Sequence, residues 1–502
     1  MKPFLRLQLN RIGMGEINMH LKNFINGKWK EARSGEINEV KNPANINECV
    51  ATTVSSTVDD VDEAVTYAKS ASELWKKLSP VERGKYLHEV ANQFEEHVDE
   101  IAKLATKEMG KRLEETRGEV LRGVAILRYY AQEGMRKIGE MLPSAASNNH
   151  LYAIRVPVGV IGVISPWNFP IAIPIWKIAP ALIYGNTVVW KPAKHATASA
   201  VKIAEMFSKA NVPAGVLNLV NGTGSVVGNR IVEHPDVHAI TFTGSNQVGQ
   251  TIATKVVSQN KKYQLELGGK NPAIVLEDAD INMAAKLTIE GAMKQTGQRC
   301  TATSRVFVEK SIYQPFLEKL LGYVKNIQVG NGMDSDVTMG PVVSKSQYDN
   351  ILHYIEIGKK EGAEIIYGGN ALNGKNYDQG YYIEPTIFTN VTNDMVIAQE
   401  EIFGPVLSVI QVENYEEALA QANDTIYGLS ASLFTSNLEK TFHFIQNSEV
   451  GMVQVNGETG GAEPQAPFGG MKQSSSGSRE QGQAAVEFFT EYKTVAITST
   501  FS

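Results

Sequence analysis

One short stretch of the chain combines a nucleophile with polar surroundings that could activate it. Residues 292–305, AMKQTGQRCTATSR, hold Cys300 between Arg299 and Thr301. A core cysteine usually has apolar neighbours, because a thiol packs as a small hydrophobic group. The polar neighbours here favour a thiol exposed in a loop or at a helix start, where backbone N–H groups and a cation stabilise the thiolate. A structural cysteine is the alternative that this stretch leaves open.

Two further stretches could supply the other groups that acyl chemistry needs. ELGGKNP places Glu266 at the end of an apolar strand, before a Gly-Gly turn. In a partly dry cleft, such a carboxyl would have a raised pKa and could act as a base. A turn acid that pairs with a lysine is the alternative. SPWNFP contains Asn168, whose amide is a donor of the kind that stabilises an oxyanion.

Two glycine turns could hold phosphate groups. FTGSNQVG, residues 242–249, places Ser245 at a helix N-terminus, where N–H groups and the helix dipole bind a pyrophosphate. GTGSVVG, residues 222–228, matches the dinucleotide glycine pattern only loosely, and alone it is better explained by an ordinary turn. Lys191, in WKPAKH, could reach ribose or phosphate oxygens, although a solvated lysine is the common case. Together these loops favour a dinucleotide site.

The elements that position these motifs form two α/β series. Residues 59–140 have a helical pattern, and after Tyr152 short apolar strands alternate with helices as far as YQLELGG. This alternation predicts a parallel, doubly wound sheet, with ligands beyond the carboxyl ends of its strands. KNPAIVLEDADI starts a second α/β series, which places a domain boundary near Gly268. The tail VEFFTEYKTVAITST predicts a strand that pairs with HLYAIRVPV or with another subunit.

Composition excludes several classes of protein. The chain has 502 residues, is 43% hydrophobic and has a net charge of −6, which argues against nucleic-acid or anionic-membrane binding. Cys49 and Cys300 make no disulfide framework and fit a reducing cytoplasm. No apolar run is long enough to span a bilayer, and the first twenty residues do not resemble a signal peptide. Met14 could be the true start, with residues 1–13 an extension.

Seven motifs together carry a family resemblance. SPWNFP, WKPA, FTGS, LELGGKNP, GQRCTATSR, QEEIFGPV and PFGGMK occur in the order and spacing of the aldehyde dehydrogenase superfamily, from about residue 23 to 498. The resemblance implies that Cys300 attacks the aldehyde, that Asn168 and the Cys300 N–H hold the oxyanion, and that Glu266 activates water. Glu480 resembles a second glutamate used in proton relay by some members.

The same resemblance implies an NAD or NADP site and no metal. Lys191 and Glu401 match ligands of the two cofactor riboses, with Phe403 near the nicotinamide ring. The bridging strands of the family imply a homodimer or a homotetramer. The other residues matching the cofactor site are Ser165, Pro166, Trp167, Lys194, Gly224, Gly228, Phe242, Gly244, Ser245, Val248, Gly249, Glu266, Leu267 and Gly268.

With the resemblance, the chain divides into three parts. Residues 20–140 and 158–267 are predicted to form a dinucleotide-binding domain. Residues 268–480 are predicted to form the catalytic domain. Residues 141–157 and 481–502 are predicted to form a bridging or oligomerisation segment, with strands at about 141–157 and 486–499. The expected fold is α/β, with two doubly wound parallel-sheet domains and a small bridging sheet.

Two departures from the common family pattern are informative. Lys194 stands where NAD-preferring members often have a glutamate, and an ammonium attracts the 2′-phosphate that a carboxylate repels, so NADP should be accepted. Arg122 falls on the helix that lines the aldehyde tunnel, where it would suit a carboxylate-bearing aldehyde. An exposed arginine on an amphipathic helix is the alternative. The other residues matched to the substrate site are Phe169, Trp176, Arg299, Thr301 and Phe468.

Several activities remain open at this point. NGETGGAEPQAPFGGMKQSSSGSREQGQAAVEFFT resembles the branch that oxidises 2-oxoglutarate semialdehyde (2,5-dioxopentanoate). Neighbouring branches act on succinate semialdehyde, betaine aldehyde or aliphatic aldehydes. A cysteine hydrolase would need a histidine base, and the acyl-site loops contain none. A CoA-acylating dehydrogenase would not need Glu266, and a non-enzymatic binding protein would be expected to have lost Cys300 or Glu266.

Overall fold

A computed structural model describes residues 19–137 and 139–499. The predictions about a signal peptide and about Met14 as the start lie outside these residues. Within the described ranges, no helix is long and apolar enough to cross a membrane. The helices there are Val58–Trp75, Pro80–Glu96, Val98–Met109, Leu113–Glu133, Ala172–Ile183, Thr197–Lys209, Asn229–Glu233, Asn246–Val257, Ile281–Met293, Tyr313–Val324, Lys345–Lys360, Val396–Gln399, Tyr415–Asn423, Leu438–Asn447 and Ala485–Phe489.

The predicted helical region is built from four helices, and the second has the start signal that the sequence predicted. Ser79 accepts a hydrogen bond from the Glu82 N–H, and the Glu82 carboxylate accepts one from the Ser79 N–H, which completes the predicted capping box. Gly110 ends the helix Val98–Met109 with a φ of 92°, a left-handed conformation that favours glycine. The helix Leu113–Glu133 starts three residues later and turns one face toward the site described below.

The first large sheet confirms the predicted parallel series. The strands from Lys262–Glu266 to Leu217–Leu219 in its order all run parallel. Five loops therefore lie together at the carboxyl ends of these strands: SPWNFP, WKPA, NGTGS, FTGS and ELGG. Its strand order is Ser475–Gly477, Lys262–Glu266, Ala239–Thr243, Val160–Ile164, Thr187–Lys191, Leu217–Leu219, Asn23–Ile25 and Lys28–Lys30.

Both edges of this sheet differ from the expectation. The hairpin Asn23–Ile25 and Lys28–Lys30 adds antiparallel strands at one edge. Ser475–Gly477 pairs antiparallel with Lys262–Glu266 at the other edge, although it lies within the stretch assigned to the catalytic domain. This polar strand has no apolar pattern, so only the free edge of its partner makes it a strand. The division into domains stays a prediction.

The second large sheet contains the second predicted α/β series. Its strands run parallel apart from Glu364–Tyr367, which is antiparallel to its neighbour at the edge. The α/β fold class is thus confirmed. The order is Glu364–Tyr367, Thr386–Thr389, Val406–Val412, Thr303–Glu309, Asn271–Val275, Ser430–Phe434 and Met452–Val455.

Smaller sheets complete the fold. The tail strand Thr490–Thr498 pairs antiparallel with Asn149–Pro157 of the same chain, as predicted, and Gly139–Leu142 pairs on the other side. The predicted start of this strand near residue 486 is wrong, because Ala485–Phe489 is a helix whose Phe488 and Phe489 are buried in the core. The remaining strands are His20–Leu21, Asn45–Val54 and Ile37–Asn42 in one sheet, and Tyr427–Gly428 with Met471–Lys472 in another.

Candidate active site

Cys300 follows a left-handed turn that no local sequence signal indicated. Gln295, Thr296 and Gly297 have φ values of 54°, 58° and 66°, an unusual conformation for the two non-glycine residues. The turn is held from outside. Glu115 Oε1 accepts a hydrogen bond from the Gln295 N–H (3.1 Å), and the Thr296 hydroxyl donates to the Gly340 carbonyl (2.9 Å). Tertiary contacts thus set the position of Cys300 ahead of the strand Thr303–Glu309.

The Cys300 residue is half-buried. Burial, reinforced by the charges of Glu401 and Glu266, raises its pKa to about 12. The charge of Arg299 lowers the pKa of the thiol, as predicted, but this effect is smaller than that of burial. The Arg299 guanidinium donates a hydrogen bond to the Gly291 carbonyl (2.6 Å). The prediction of an exposed thiol with a stabilised thiolate is therefore wrong for this structure.

Glu266 has the environment predicted for a base. It is the last residue of its strand and is 2% exposed. Burial, together with the charge of Glu480, raises the pKa of its carboxyl well above the ordinary value, as expected. Ser475, rather than a lysine, donates a hydrogen bond to Oε2 (2.6 Å). Oε1 is buried and has no hydrogen-bond partner among the described residues.

Asn168 and Cys300 are joined through Gln298. The buried Asn168 Nδ2 donates one hydrogen to the Gln298 carbonyl (3.1 Å), which leaves its second hydrogen for another acceptor. Gln298 is itself held, because its Oε1 accepts from the Val343 N–H (3.0 Å) and its Nε2 donates to the Gln295 carbonyl (3.2 Å). The amide donor and the thiol are thus fixed relative to each other.

Cys300 lines two cavities. The first, of about 760 Å³ and open to solvent, lies at the strand ends of the first sheet. Its lining includes residues that local sequence did not indicate, among them Gln347 and Asn350 on the helix Lys345–Lys360, and also Thr243 and Ile402. The predicted residues that it brings together are Pro166, Trp167, Asn168, Gly244, Ser245, Leu267, Gly268, Cys300, Glu401 and Phe403.

The groups around this first cavity fit a dinucleotide. Ser245 precedes the helix Asn246–Val257, and in the described part of the chain its hydroxyl makes no capping hydrogen bond, which leaves it for a ligand. Glu401 Oε1 accepts from the Gly269 N–H (3.0 Å), and burial raises the pKa of this carboxyl to about 7. The Phe403 ring lies edge-on to Trp167, with the centroids 5.5 Å apart.

Other predicted cofactor residues lie outside that lining. Lys191 is buried, donates to the Pro192 carbonyl (2.7 Å), and has its pKa lowered to about 8 by burial. Lys194 is exposed at the start of a short turn. In GTGSVVG the Thr223 hydroxyl accepts from the Val226 N–H, so this turn satisfies one of its own donors. The rest of this set is Ser165, Gly224, Gly228, Phe242, Val248, Gly249 and Glu266.

The second cavity, of about 830 Å³, approaches Cys300 from the other side. Each residue matched to the substrate site contributes to its lining, and the assignment of this cavity to the substrate stays a prediction. Residues that the sequence did not indicate are Glu115, Ile173, Lys294, Gln295, Glu458, Gly461 and Ala462. The predicted residues are Arg122, Phe169, Trp176, Arg299, Cys300, Thr301 and Phe468.

Two of the three cations that line this second cavity have an ion-pair partner among the described residues. Glu458 forms ion pairs with Arg299 (3.4 Å) and with Lys294 (3.2 Å). Arg122 is half-buried with its guanidinium 5.5 Å from the centre of the Trp176 ring. Its Nε and Nη2 atoms are buried and have no hydrogen-bond partner in the residues described. The alternative of an exposed surface arginine is therefore wrong. Among the described cations that line this cavity, Arg122 is the one without an ion-pair partner.

Glu480 lies behind the second cavity rather than in its lining. It is 2% exposed and forms an ion pair with Lys177. The Trp176 indole N–H (2.7 Å) and the Thr241 hydroxyl (3.2 Å) also donate to its carboxylate. Its charge raises the pKa of Glu266, so its influence on the site is electrostatic.

The fold and this arrangement define a nucleotide-dependent enzyme with a cysteine between its cofactor and its substrate. In the described ranges no histidine lines either cavity, which disfavours a cysteine hydrolase. The model of the aldehyde dehydrogenase family matches residues 29–495, and the chain belongs to this family. It is an NAD(P)-dependent aldehyde dehydrogenase whose substrate is a small-molecule aldehyde.

Individual relatives cover nearly the whole chain. It is 55% identical over 482 residues to the alpha-ketoglutaric semialdehyde dehydrogenase of Bacillus subtilis, covering 96% of this chain and 99% of the relative. It is 42% identical over 471 residues to the 2,5-dioxopentanoate dehydrogenase of Saccharolobus solfataricus, covering 93% and 97%. The structure of betaine aldehyde dehydrogenase from Staphylococcus aureus in complex with NAD+ is 34% identical, with a TM-score of 0.94 over 97% and 96% of the two chains.

Proposed function

We propose that the enzyme oxidises 2-oxoglutarate semialdehyde to 2-oxoglutarate. The observation that carries this proposal is Arg122, whose buried Nε and Nη2 have no hydrogen-bond partner in the described residues, in the cavity that ends at Cys300. A carboxylate on the far end of the substrate would accept the two free N–H groups of its guanidinium. The names of the relatives from Bacillus subtilis and Saccharolobus solfataricus support the same substrate.

The first chemical step belongs to Cys300. Burial raises the pKa of its thiol, so a base must take the proton as Sγ attacks the aldehyde carbon. Glu266, whose charge acts on the thiol, takes this proton through water and releases it to solvent. The new S–C bond moves the carbonyl electron pair onto oxygen. The free hydrogen of Asn168 Nδ2 and the Cys300 N–H then hold this oxyanion. NAD(P), when bound, supplies the acceptor for the hydride that leaves the carbon, and a Cys300 thioester remains.

Glu266 completes the turnover. Burial raises the pKa of its carboxyl, which makes it a stronger base than an ordinary glutamate, and its Oε1 has no hydrogen-bond partner in the described chain. From this position the carboxylate takes a proton from water, whose oxygen attacks the thioester carbon. The C–S bond breaks and the acid leaves. The sulfur then takes the proton that Glu266 holds, which restores the thiol and the carboxylate. Burial beside Glu480 raises the basicity that this step needs.

Three finer features belong to the same proposal. Exposed Lys194 supports acceptance of NADP beside NAD, because its ammonium attracts a 2′-phosphate. The sheet of Thr490–Thr498, with Tyr492 and Ile497 about half exposed, supports a homodimer or homotetramer assembled through this segment. A cytoplasmic location, predicted from the cysteine usage, remains part of the proposal.

Substrate charge tests the proposal. We expect kcat/KM to be higher for 2-oxoglutarate semialdehyde and succinate semialdehyde than for hexanal, and lowest for betaine aldehyde, whose cation Arg122 repels. Arg122→Met should lower kcat/KM for the acid semialdehydes by about 10- to 100-fold, since a charge-assisted pair contributes about 1.5–3 kcal/mol. Turnover of hexanal should stay nearly unchanged. Steady-state kinetics with each aldehyde measures both effects.

Arg128→Met is the matched control. Arg128 lies on the same helix but is exposed and paired with Glu95, so its loss should change none of these constants. If Arg122→Met keeps the acid preference, Arg122 is not the anchor and Arg299 becomes the next candidate. If the unaltered enzyme prefers long neutral aldehydes, the proposed substrate is wrong although the family assignment stands.

A further inference from the structure

Two buried charged residues behind the Asn168 loop have no role in the chemistry described so far. Lys111 and Glu119 form an ion pair, and their side chains are 0% and 2% exposed. Burying an ion pair costs desolvation energy that an apolar pair would avoid, so such a pair is weak evidence for a purely stabilising role. What the pair contacts is therefore more informative than its charge.

The pair holds both ends of the segment 168–172. Lys111 Nζ donates to the Asn168 carbonyl (3.3 Å) and lies 4.7 Å from the centre of the Phe169 ring. Glu119 Oε1 accepts hydrogen bonds from the N–H groups of Ile171 (2.7 Å) and Ala172 (2.9 Å). The main chain that follows the Asn168 side chain is thus tied to one ion pair at both ends of the segment 168–172.

The position of Glu119 on its helix links this unit to the rest of the site. Glu115, Glu119 and Arg122 occupy positions i, i+4 and i+7 of the helix Leu113–Glu133, and such positions share one face. Glu115 holds the turn before Cys300 through the Gln295 N–H, and Arg122 lines the substrate cavity. One helix face therefore contacts the thiol turn, the amide loop and the substrate space.

We propose that Lys111 and Glu119 are positioning residues for the oxyanion donor Asn168. The proposal rests on the proposed function, because it needs the Asn168 amide to act on the oxyanion. With the carbonyl of Asn168 held by Lys111 and the next helix capped by Glu119, the main chain that carries the Asn168 amide is held in place, and the amide itself donates to the Gln298 carbonyl two residues before Cys300. A donor displaced by about 1 Å loses much of its stabilisation of a developing charge.

Replacing Lys111 and Glu119 by neutral residues of similar size distinguishes an effect on the position of Asn168 from an effect on the stability of the fold. In Lys111→Met/Glu119→Gln, the buried charges are gone together, so we expect the melting temperature to stay near that of the unaltered enzyme. The glutamine oxygen can still accept from Ile171, but the Asn168 carbonyl loses its donor. We expect kcat/KM to fall about tenfold for the acid semialdehyde and for hexanal alike. The cofactor Kd, followed by fluorescence quenching, should not change.

The decisive measurement is a double-mutant cycle with Asn168→Ala. If the pair acts through Asn168, the neutral pair slows the enzyme in the normal background but causes no further loss in the Asn168→Ala background. Glu108→Gln is the structural control, since the buried Glu108 accepts from the N–H groups of Ala198 (2.6 Å) and Ser199 (2.8 Å) at another helix start. It should lower the melting temperature without lowering kcat.

Each possible result decides whether the positioning role, the oxyanion assignment or both are wrong. Additive losses in the cycle, or a stable neutral-pair variant with an unchanged rate, overturn the positioning role and leave the proposed function intact. An Asn168→Ala variant as fast as the unaltered enzyme overturns the oxyanion assignment and the positioning role together. If the neutral-pair variant does not fold, Lys111→Met alone, which removes the donor to the Asn168 carbonyl and leaves Glu119 with its two N–H donors, replaces it in the cycle. Additive or non-additive losses are interpreted in the same way.

Discussion

The two cavities that meet at Cys300 are built in different ways. The cofactor side is formed mainly by loops at the ends of sheet strands, where main-chain turns, Ser245 and the half-buried Glu401 supply the polar groups. The substrate side is formed by side chains from distant segments, and its charges are paired except for Arg122, as far as the described residues show. The cofactor side thus depends mainly on the positions of main-chain turns, whereas the other side depends on side chains that distant segments bring together.

Cys300→Ala should have the largest effect, because it removes the one group that both cavities share. We expect aldehyde-dependent NAD(P)H formation to fall by at least about 10⁴-fold. Binding of NAD+ should persist, since the cavity walls remain. The assay is absorbance at 340 nm with and without CoA. Activity that survives in Cys300→Ala would disprove the mechanism, and a rate that requires CoA would point to an acylating dehydrogenase.

Glu266→Gln should allow the thioester to form but slow its hydrolysis. Loss of the base should lower the steady-state rate by about 10²–10⁴-fold. The first turnover should still release about one equivalent of NAD(P)H per site, because hydride leaves before water attacks. Rapid mixing shows this burst, and mass spectrometry of the quenched enzyme shows the acyl group on Cys300. A variant that turns over at the normal rate would remove Glu266 from the mechanism.

Lys194→Glu should alter the cofactor side alone. An exposed charge contributes about 1 kcal/mol, so we expect kcat/KM for NADP relative to NAD to fall about fivefold. The preference among aldehydes should not change. Lys209→Glu, at an exposed lysine on the following helix, is the control. Strict use of NAD by the unaltered enzyme, unchanged by Lys194→Glu, would refute the prediction.

Lys270 is a buried basic residue outside the lining of both cavities, and its Nζ has no hydrogen-bond partner in the residues described. Burial lowers its pKa to about 7, below the value of about 10.4 in an unfolded chain. Unfolding therefore takes up a proton below about pH 10, and this destabilises the fold progressively as pH falls toward 7. Lys270→Met should raise the melting temperature at pH 6 and leave it unchanged near pH 10.

The control for this smallest effect is an exposed lysine. Lys286→Met, at a site 57% exposed, should shift the melting temperature equally little at every pH. Differential scanning fluorimetry across pH 6–10 compares the two variants. An increase for Lys270→Met that does not depend on pH would show that packing, and not the buried charge, explains the change.

Much of the fold could be predicted because its signals are local. Apolar strands alternating with helices indicated both parallel sheets, and the cap at Ser79 marked a helix start. Ser475–Gly477 could not be predicted, because its polar residues form a strand only against the edge of Lys262–Glu266. On the substrate side, Glu115 and Glu458 were missed for a similar reason, since nothing beside them in the chain marks their distant partners.

The order of residues established which groups are present and which turns carry them: Cys300, Glu266, Asn168 and Ser245 stand in motifs whose local pattern predicts their elements. Their chemical state was decided by tertiary packing. Glu401 comes to lie near the thiol from a hundred residues away in the chain, and together with burial and Glu266 it raises the thiol pKa where the flanking arginine suggested a fall. Charge interactions depend on distance and solvent exposure, and neither quantity is written in the order of the residues.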